Sequence, residues 1–586
     1  MSDDLTADEA LVREACTHGR PADLHDGPSG RRPVRAGVLL GLLLGVPAVP
    51  TAPAVPGGGR PALVLRGARV TGSFDLTAVT VERPFAIEDC WFEAPVVLTD
   101  ARLRGVQLSD CRVPSLEGTR TAVDGLLDLE RIRSGSGIRL EGARLSGGLR
   151  LAGAELGPDG AGVALAASGL ELSGPLEAAG MRAVGAVVLG GARLGGPVDL
   201  AGAAVERAGA DALVLDRAVL GERLLAQRLS VEGRFRLYNA SVAGSVQLSG
   251  ARLDNPGGIA LGAAGVSVRG GFWCGDSFAA RGEVRLVGAE LRANLSLRGA
   301  SLDHPGGSAL DLGSATVRDV DARALVVHRG GVSLRGAVVG HRLDLTGARF
   351  TSAGSAGAGS ALARLDLHML RAGEVVLQPA APVRCTIALD HARIGHLHDG
   401  PDAWPAELVL DGLTYEALSP VLPARARLAW LALDHSGVRP QPYEQLAGSY
   451  TKVGLPVEAR AVQYEKERRS NRSRSGPARA WGAVQDILVG YGYRPWRALC
   501  WLVLVVAGAG SVFSARPPTP LEPGRNLGFN GFAYALDLVL PLVDLGQDRA
   551  FVPVGTTQWL AFALVGTGWI LASVIAAAVA RAVARR

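Results

Sequence analysis

The stretch FRLYNASVAGSVQLSGARL, residues 235–253, decides the fold. Phe235, Leu237, Ala240 and Val242 return eleven residues later as Val246, Leu248, Ala251 and Leu253. F-x-L and V-x-L alternate with period two, which puts two apolar side chains on one face of a short strand. Glycine, or glycine with alanine, separates such pairs and suits tight corners. The doublet recurs elsewhere. Leu140/Ala143/Leu145 leads to Leu151/Ala154/Leu156, and Leu286/Ala289/Leu291 leads to Leu297/Ala300/Leu302. A longer period lies over it: QLSGARLDNPGGIAL (247–261) returns as SLRGASLDHPGGSAL (296–310), a supercycle of roughly 49 residues in the range of solenoids. No helical apolar stripe runs through this region. Short strands with Leu and Val inward, and Ala where space is narrow, make a parallel β-helix over 60–400. Each coil buries its apolar face only by stacking on the next. The D-N-P-G-G and D-H-P-G-G segments read as loops projecting from one side.

Composition agrees with repetition. Of 586 residues 48% are hydrophobic and only 5% aromatic, with 78 glycines, which argues against one large irregular core. Lys452 and Lys466 are the only lysines, so nearly all positive charge is arginine, and the net charge is +5. Cys16, Cys90, Cys111, Cys274, Cys385 and Cys500 form no C-x-x-C and no metal knuckle, the pattern of reduced, mostly buried thiols.

An open solenoid end needs a cover. Thr6-x-x-Glu9 ahead of Leu11, Val12, Ala15 and Cys16 is a capping box that opens a short amphipathic helix. RRPVRAGVLLGLLLGVPAVPTAPA (31–54) has Arg31-Arg32, an apolar run and Ala52-x-Ala54, the layout of a twin-arginine export signal. The run is too short to span a bilayer and follows a structured helix, so a buried capping helix is expected, with export the alternative. Residues 1–59 are read as an N-terminal helical cap.

After 400 the pattern changes to a helical linker, 401–495. In QPYEQLAGSYTKVGLPVEARAVQYEKERRSNRS (441–473), Tyr443, Leu446 and Tyr450, a turn at Gly454-Leu455-Pro456, then Ala459 and Val462 make a helix–turn–helix pair, a docking surface or a strut. The next stretch is arginine-rich. A basic block before an apolar helix anchors at an anionic membrane surface, here through Arg468, Arg469, Arg472, Arg474, Arg494 and Arg497. The lipid bilayer, with its anionic inner leaflet, is the expected partner, and nucleic acid is not.

WRALCWLVLVVAGAGSVFSA (496–515) and WLAFALVGTGWILASVIAAAVA (559–580) each have about the length a bilayer core demands. Residues 496–586 read as a two-helix transmembrane hairpin, with Trp496, Trp501, Trp559 and Trp569 as candidate interface anchors. Arginines flank its outer ends, so both termini and the solenoid are expected in the cytoplasm, at a bacterial plasma membrane. Between the spans, NGFAYALDLVLPLVDLGQ (530–547) is too short to cross and holds Pro541. It re-enters the membrane or lies on its outer face. In an oligomer Asp537 and Asp544 would then form acidic rings that favour cations; on the surface they face water. Val489-Gly490-Tyr491-Gly492 has the letters of a potassium filter, but it precedes both spans and is followed by Arg494 and Arg497. It reads as an aromatic elbow at the membrane surface.

The chain contains no dinucleotide fingerprint, Walker A sequence, H-E-x-x-H or G-x-S-x-G. His396, His398 and Asp399 are a weak metal pattern where the solenoid ends. No catalytic residue, cofactor or metal is expected.

VRAGVLLGLLLG, the G-x-V-x-L-x-G-A-x-L units, HPGGSAL, LDGLTYEALSP, PYEQLAGSY, VGYGYRPWRAL and LDLVLPLVDLGQ together resemble an actinobacterial family of membrane proteins. Its members are similar to pentapeptide-repeat proteins and often carry the label "membrane-associated oxidoreductase". The resemblance covers almost the whole chain and implies a redox activity, without residues to assign it to. The units here run at eleven to thirteen residues rather than five, so the coil departs from the square pentapeptide prism. Three functions are open: a non-enzymatic scaffold with an unknown protein partner on the solenoid face; a channel-like or transport component made by a homo-oligomer of the hairpin; and the oxidoreductase of the family label.

Overall fold

The computed structural model describes residues 5–25, 31–45, 63–351, 364–381, 386–437, 439–472, 475–494, 496–521, 528–540 and 544–583. The chain divides into two compact units: residues up to 421 with 433–435, and residues 422–432 with 436 onward.

The first unit is a parallel β-solenoid of about 15 turns with helices at its N-terminal end. Phe235 pairs in register with Leu213 of the preceding coil and Leu261 of the next. Val246 pairs with Leu224 and Phe272 in a second sheet. The eleven-residue step therefore carries the chain from one sheet to the other and is half a coil. Phe235, Leu237, Val246 and Leu248 are fully buried. Each such side chain contributes about 1.5–3 kcal/mol by leaving water, and only because coils stack above and below it.

The corners follow from the same motif. The Ala240 N–H donates to Leu237 O at 3.1 Å and Ala251 N–H to Leu248 O at 2.9 Å, each closing a tight turn. The residue before each alanine is left-handed: Asn239 at φ 54° and Gly250 at φ 70°. Glycine adopts that conformation without cost, and asparagine tolerates it. Other glycines answer to crowding. A Cβ on Gly174 would lie 2.5 Å from Gly147 O, because the backbones of successive coils nearly touch at that corner.

The supercycle is a pair of coils. Ala204–Val214, Arg252–Gly262 and Ser301–Asp311 are eleven-residue strands whose pairing slips at Glu206/Asp211, Asp254/Ile259 and Asp303/Ser308. The coils between them carry the shorter Ser230–Arg236 and Ala279–Arg285. The D-N-P-G-G and D-H-P-G-G segments are thus not free loops but bulges inside continuous strands. The extra residues are absorbed by a register slip that keeps both flanks in the ladder.

The ladder runs beyond 60–400 at both ends. Ala22–Asp23 and Arg32–Arg35 pair with Leu63–Arg66 and Ala68–Thr71, and Thr414–Ser419 is its last strand. Helix α1 (Ala7–Thr17) opens with the expected capping box, Thr6 with Glu9. Helix α2 (Ala36–Gly45) follows, with Ala36, Leu39 and Leu43 buried. Arg32 pairs with Asp8 at 3.1 Å and Arg31 with Asp89, so the arginine pair is tied into the cap. The remainder of the 31–54 run lies outside the described residues.

The second unit is helical: α3 (Ala424–Leu431), α4 (Pro440–Lys452), α5 (Pro456–Arg472), α6 (Gly476–Val489), α7 (Trp496–Ala515), α8 (Gly531–Val539), the single turn α9 (Gln547–Ala550) and α10 (Thr556–Val583). Tyr443, Leu446 and Tyr450 of α4 are buried, as are Ala459 and Val462 of the α5 that follows the turn. Helices α7, α8 and α10 share a second core around Phe513, Tyr534, Val539 and Leu564. Among the described residues one helix, α7, is long and apolar enough to cross a membrane, with a mean hydropathy of 2.1. The expected two-helix hairpin is therefore met by one candidate span. The second segment, 559–580, lies within α10, whose later side chains fall outside the described residues.

Candidate functional site

Helix α5 carries Val457, Arg460, Ala461, Tyr464, Glu465 and Arg468 along one stripe, because steps of three and four return to the same helix face. Arg425 and Leu428 of α3 face that stripe, and Tyr493 and Arg494 close it from the chain entering α7. Together they line a cleft of about 460 Å3. Four of the ten lining residues are arginines, and Glu465 is the one carboxylate. Glu465 is already shared: Arg469 Nε donates to it at 3.1 Å and Arg468 Nη1 lies 3.6 Å away. The Tyr464 hydroxyl donates to Asp486 Oδ1 at 2.6 Å, and burial with that carboxylate raises its phenol above the ordinary range. The Arg494 guanidinium lies over the Tyr464 ring, 4.9 Å from its centroid. The cleft is electropositive, aromatic on one wall, and suited to an anion.

The elbow beneath it is built from the GYG letters. Gly490 ends α6 in the left-handed conformation, at φ 55°, and Tyr491 follows at φ 57° with its ring buried 6.2 Å from that of Tyr464. Arg497 Nη1 donates to Asp486 O at 3.1 Å, and the Trp501 indole donates to Ile487 O at 3.2 Å. These bonds fix the first two turns of α7 against α6.

The structure separates the six arginines singled out by sequence. Arg468 and Arg494 reach the cleft. Arg469 turns inward to the Tyr443 hydroxyl at 2.9 Å, and Arg497 is held by Asp486. Arg472 is exposed at the end of α5, and Arg474 lies outside the described residues. Arg425 and Arg460 were missed. The helical spacing of the α5 stripe was a usable signal for Arg460; nothing local marks Arg425, which arrives from a distant helix.

Asp537 is buried and accepts three backbone N–H groups, from Leu545 at 2.7 Å, Gln547 at 2.9 Å and Asp548 at 3.0 Å. Asp544 is exposed and pairs with Arg549 at 2.8 Å. Asp537, Asp544 and Asp548 are the one group of acidic ligand atoms, among the described residues, close enough together to share a cation. The HLHDG residues are tied into the last coils: His396 bonds the Ser419 hydroxyl at 2.6 Å, and Asp399 accepts the Trp404 indole N–H at 3.0 Å.

The outer surface of α7 is apolar and bare. Leu499 and Leu504 are each 62% exposed, with Val503 beside them. Phe562, Trp569 and Ile570 of α10 are exposed as well, as are Trp481, Val484 and Ile487 of α6. On the solenoid, charged side chains pair between coils instead, as in Arg120 with Asp100, Arg131 with Asp110 and Arg329 with Asp303.

No family model, no curated protein and no solved structure matches the chain.

Proposed function

We propose that the chain is a membrane-anchored β-solenoid acting as a non-enzymatic scaffold on the cytoplasmic face of a bacterial plasma membrane. The observation that carries this reading is the surface of α7. Twenty residues of helix run about 30 Å, the thickness of a hydrocarbon core. Only 22% of its most apolar window is covered by the rest of the chain. Soluble monomers rarely leave a contiguous apolar surface of that size in water, whereas in lipid it costs nothing. The exposed aromatic and aliphatic side chains of α10 support a second crossing through 559–580. Arginines at the outer ends of the two segments support a cytoplasmic solenoid. The stacked coils offer a long, regular outward face to a protein partner.

The competing readings draw less from the molecule. The Asp537 carboxylate is filled by backbone donors, so it lends nothing to a pore. Burial pushes the Cys90 thiol up to about 12 and raises Cys111 and Cys274 likewise, which leaves them protonated and poor redox nucleophiles.

Flotation with neutral phosphatidylcholine vesicles tests the anchor. The full-length protein is expected to float and to resist alkaline carbonate. Leu504→Arg, at the middle of α7, opposes insertion by about 3 kcal/mol and is expected to release it. A wild-type protein that stays in the soluble fraction sinks the proposal.

A further inference from the structure

We infer that the cleft between α3, α5 and the entry to α7 binds a phosphate group, presented by the headgroup of an anionic lipid. The choice of lipid as the source rests on the membrane-anchored reading; the recognition of phosphate does not.

The charge balance comes first. Arg425, Arg460, Arg468 and Arg494 converge on one cavity from three separate stretches of chain. A diffuse electrostatic anchor needs only basic residues near a surface and has no reason to assemble them around a hollow. Against four guanidinium groups stands Glu465 alone, and Arg468 and Arg469 already flank it. The cavity therefore keeps a net positive charge that an anion would neutralise. Guanidinium groups are planar forks whose paired N–H donors match two phosphate oxygens at once, and they stay charged at any physiological pH.

Shape and position narrow the ligand. About 460 Å3 fits a small ligand or headgroup and not an extended polyanion. Arg494 stands two residues before Trp496, the first residue of α7, and Trp496 is exposed as an interface anchor would be. The Arg494 side of the cleft is thus at headgroup depth if α7 spans. Tyr464 and Tyr493 form the wall, and amphipathic rings of this kind sit comfortably at that depth.

The test is calorimetric titration of the full-length protein in neutral detergent with short-chain phosphatidic acid, and separately with glycerol 3-phosphate. Arg425→Gln with Arg460→Gln removes two cleft charges outside the arginine-rich block. Both side chains are exposed, so neither change removes packing. Arg472→Gln, on the same helix but outside the cleft lining, is the control. The expected result is that the cleft pair weakens phosphatidic acid binding by about tenfold or more, while the control changes it less than about twofold. Glycerol 3-phosphate is expected to compete, more weakly than the lipid. Equal loss in cleft pair and control, or loss in neither, overturns the cleft in favour of diffuse charge. Glycerol 3-phosphate binding as tightly as the lipid overturns the lipid source and leaves phosphate recognition standing. Flotation on neutral vesicles reads the anchor separately. A protein that floats but binds no phosphate sinks the cleft alone; one that binds the soluble ester but does not float sinks the anchor alone.

Discussion

The carboxylate of Asp537 accepts the backbone N–H of Gln547 at 2.9 Å, which folds the chain after α8 back onto that helix. Burial opposes its ionisation, but the donors from Leu545, Gln547 and Asp548 outweigh burial and hold it below the ordinary carboxylate range. Asp548 moves the other way, raised by burial and by the Asp537 charge beside it.

Asp537→Ala leaves three backbone donors without their acceptor and is expected to cost about 3 kcal/mol. Asp544→Ala removes an exposed pair with Arg549 and one exposed hydrogen bond from the Gly546 N–H, which water can replace, and should cost about 1 kcal/mol or less. Thermal unfolding of the full-length protein in detergent separates them. A pore residue would behave differently, changing ion flux in liposomes while leaving the unfolding temperature alone.

The N-terminal cap makes a pH prediction. Glu9 is buried; Arg35 donates from Nε at 2.8 Å and from Nη2 at 2.7 Å, and the Thr6 N–H donates at 3.0 Å. The Arg35 hydrogen bond, opposed by burial, is the main cause that lowers Glu9 to about 2. A depressed carboxyl contributes stability above its unfolded value near 4.5, and that stability is lost as pH falls toward about 2. The contribution is about 2 kcal/mol once the half-exposed Arg35 is discounted for solvent screening. Glu9→Gln should lower the stability of the solenoid at neutral pH and flatten its acid dependence between those two values. An unchanged acid profile, followed by hydrogen exchange over the first coils, contradicts this.

Two glycines separate crowding from backbone conformation. Gly174→Ala drives a Cβ to within 2.5 Å of Gly147 O and should cost about 1–3 kcal/mol. Gly191 is left-handed at φ 67° with open space around it, so Gly191→Ala meets only the conformational cost, about 1 kcal/mol. Urea midpoints should rank the two in that order. The reverse order would mean that the coils at the Gly174 corner can move apart to admit a Cβ.

The solenoid was legible because its signal is local and repeated. Phe235 and Val246 mark strands by alternation, and Asn239 and Gly250 mark corners by conformational need. The D-N-P-G-G segment misleads for the same reason. Proline and two glycines look like a loop, yet Arg252 and Gly262 on either side are held by the ladder, and stacking absorbs the surplus as a bulge. In the helical unit, residues near α7 drew attention by their place in the sequence, so Arg468 and Arg494 were found together with Arg469 and Arg497, which serve internal bonds. Arg425 belongs to the cleft only through tertiary packing, and Asp537 is buried only because a loop returns to it. Neither fact has a signature in spacing or composition.

Tryptophan quenching by lipid is the measurement that tests the anchor most directly. Trp496, Trp501, Trp559 and Trp569 are exposed on α7 and α10, while Trp91 and Trp273 lie on the solenoid. In vesicles whose acyl chains carry bromine, the full-length protein should lose part of its fluorescence, and replacing Trp496, Trp501, Trp559 and Trp569 with Phe should remove most of that loss. Fluorescence untouched by the brominated chains, and fully open to aqueous iodide, would mean that α7 does not enter the bilayer.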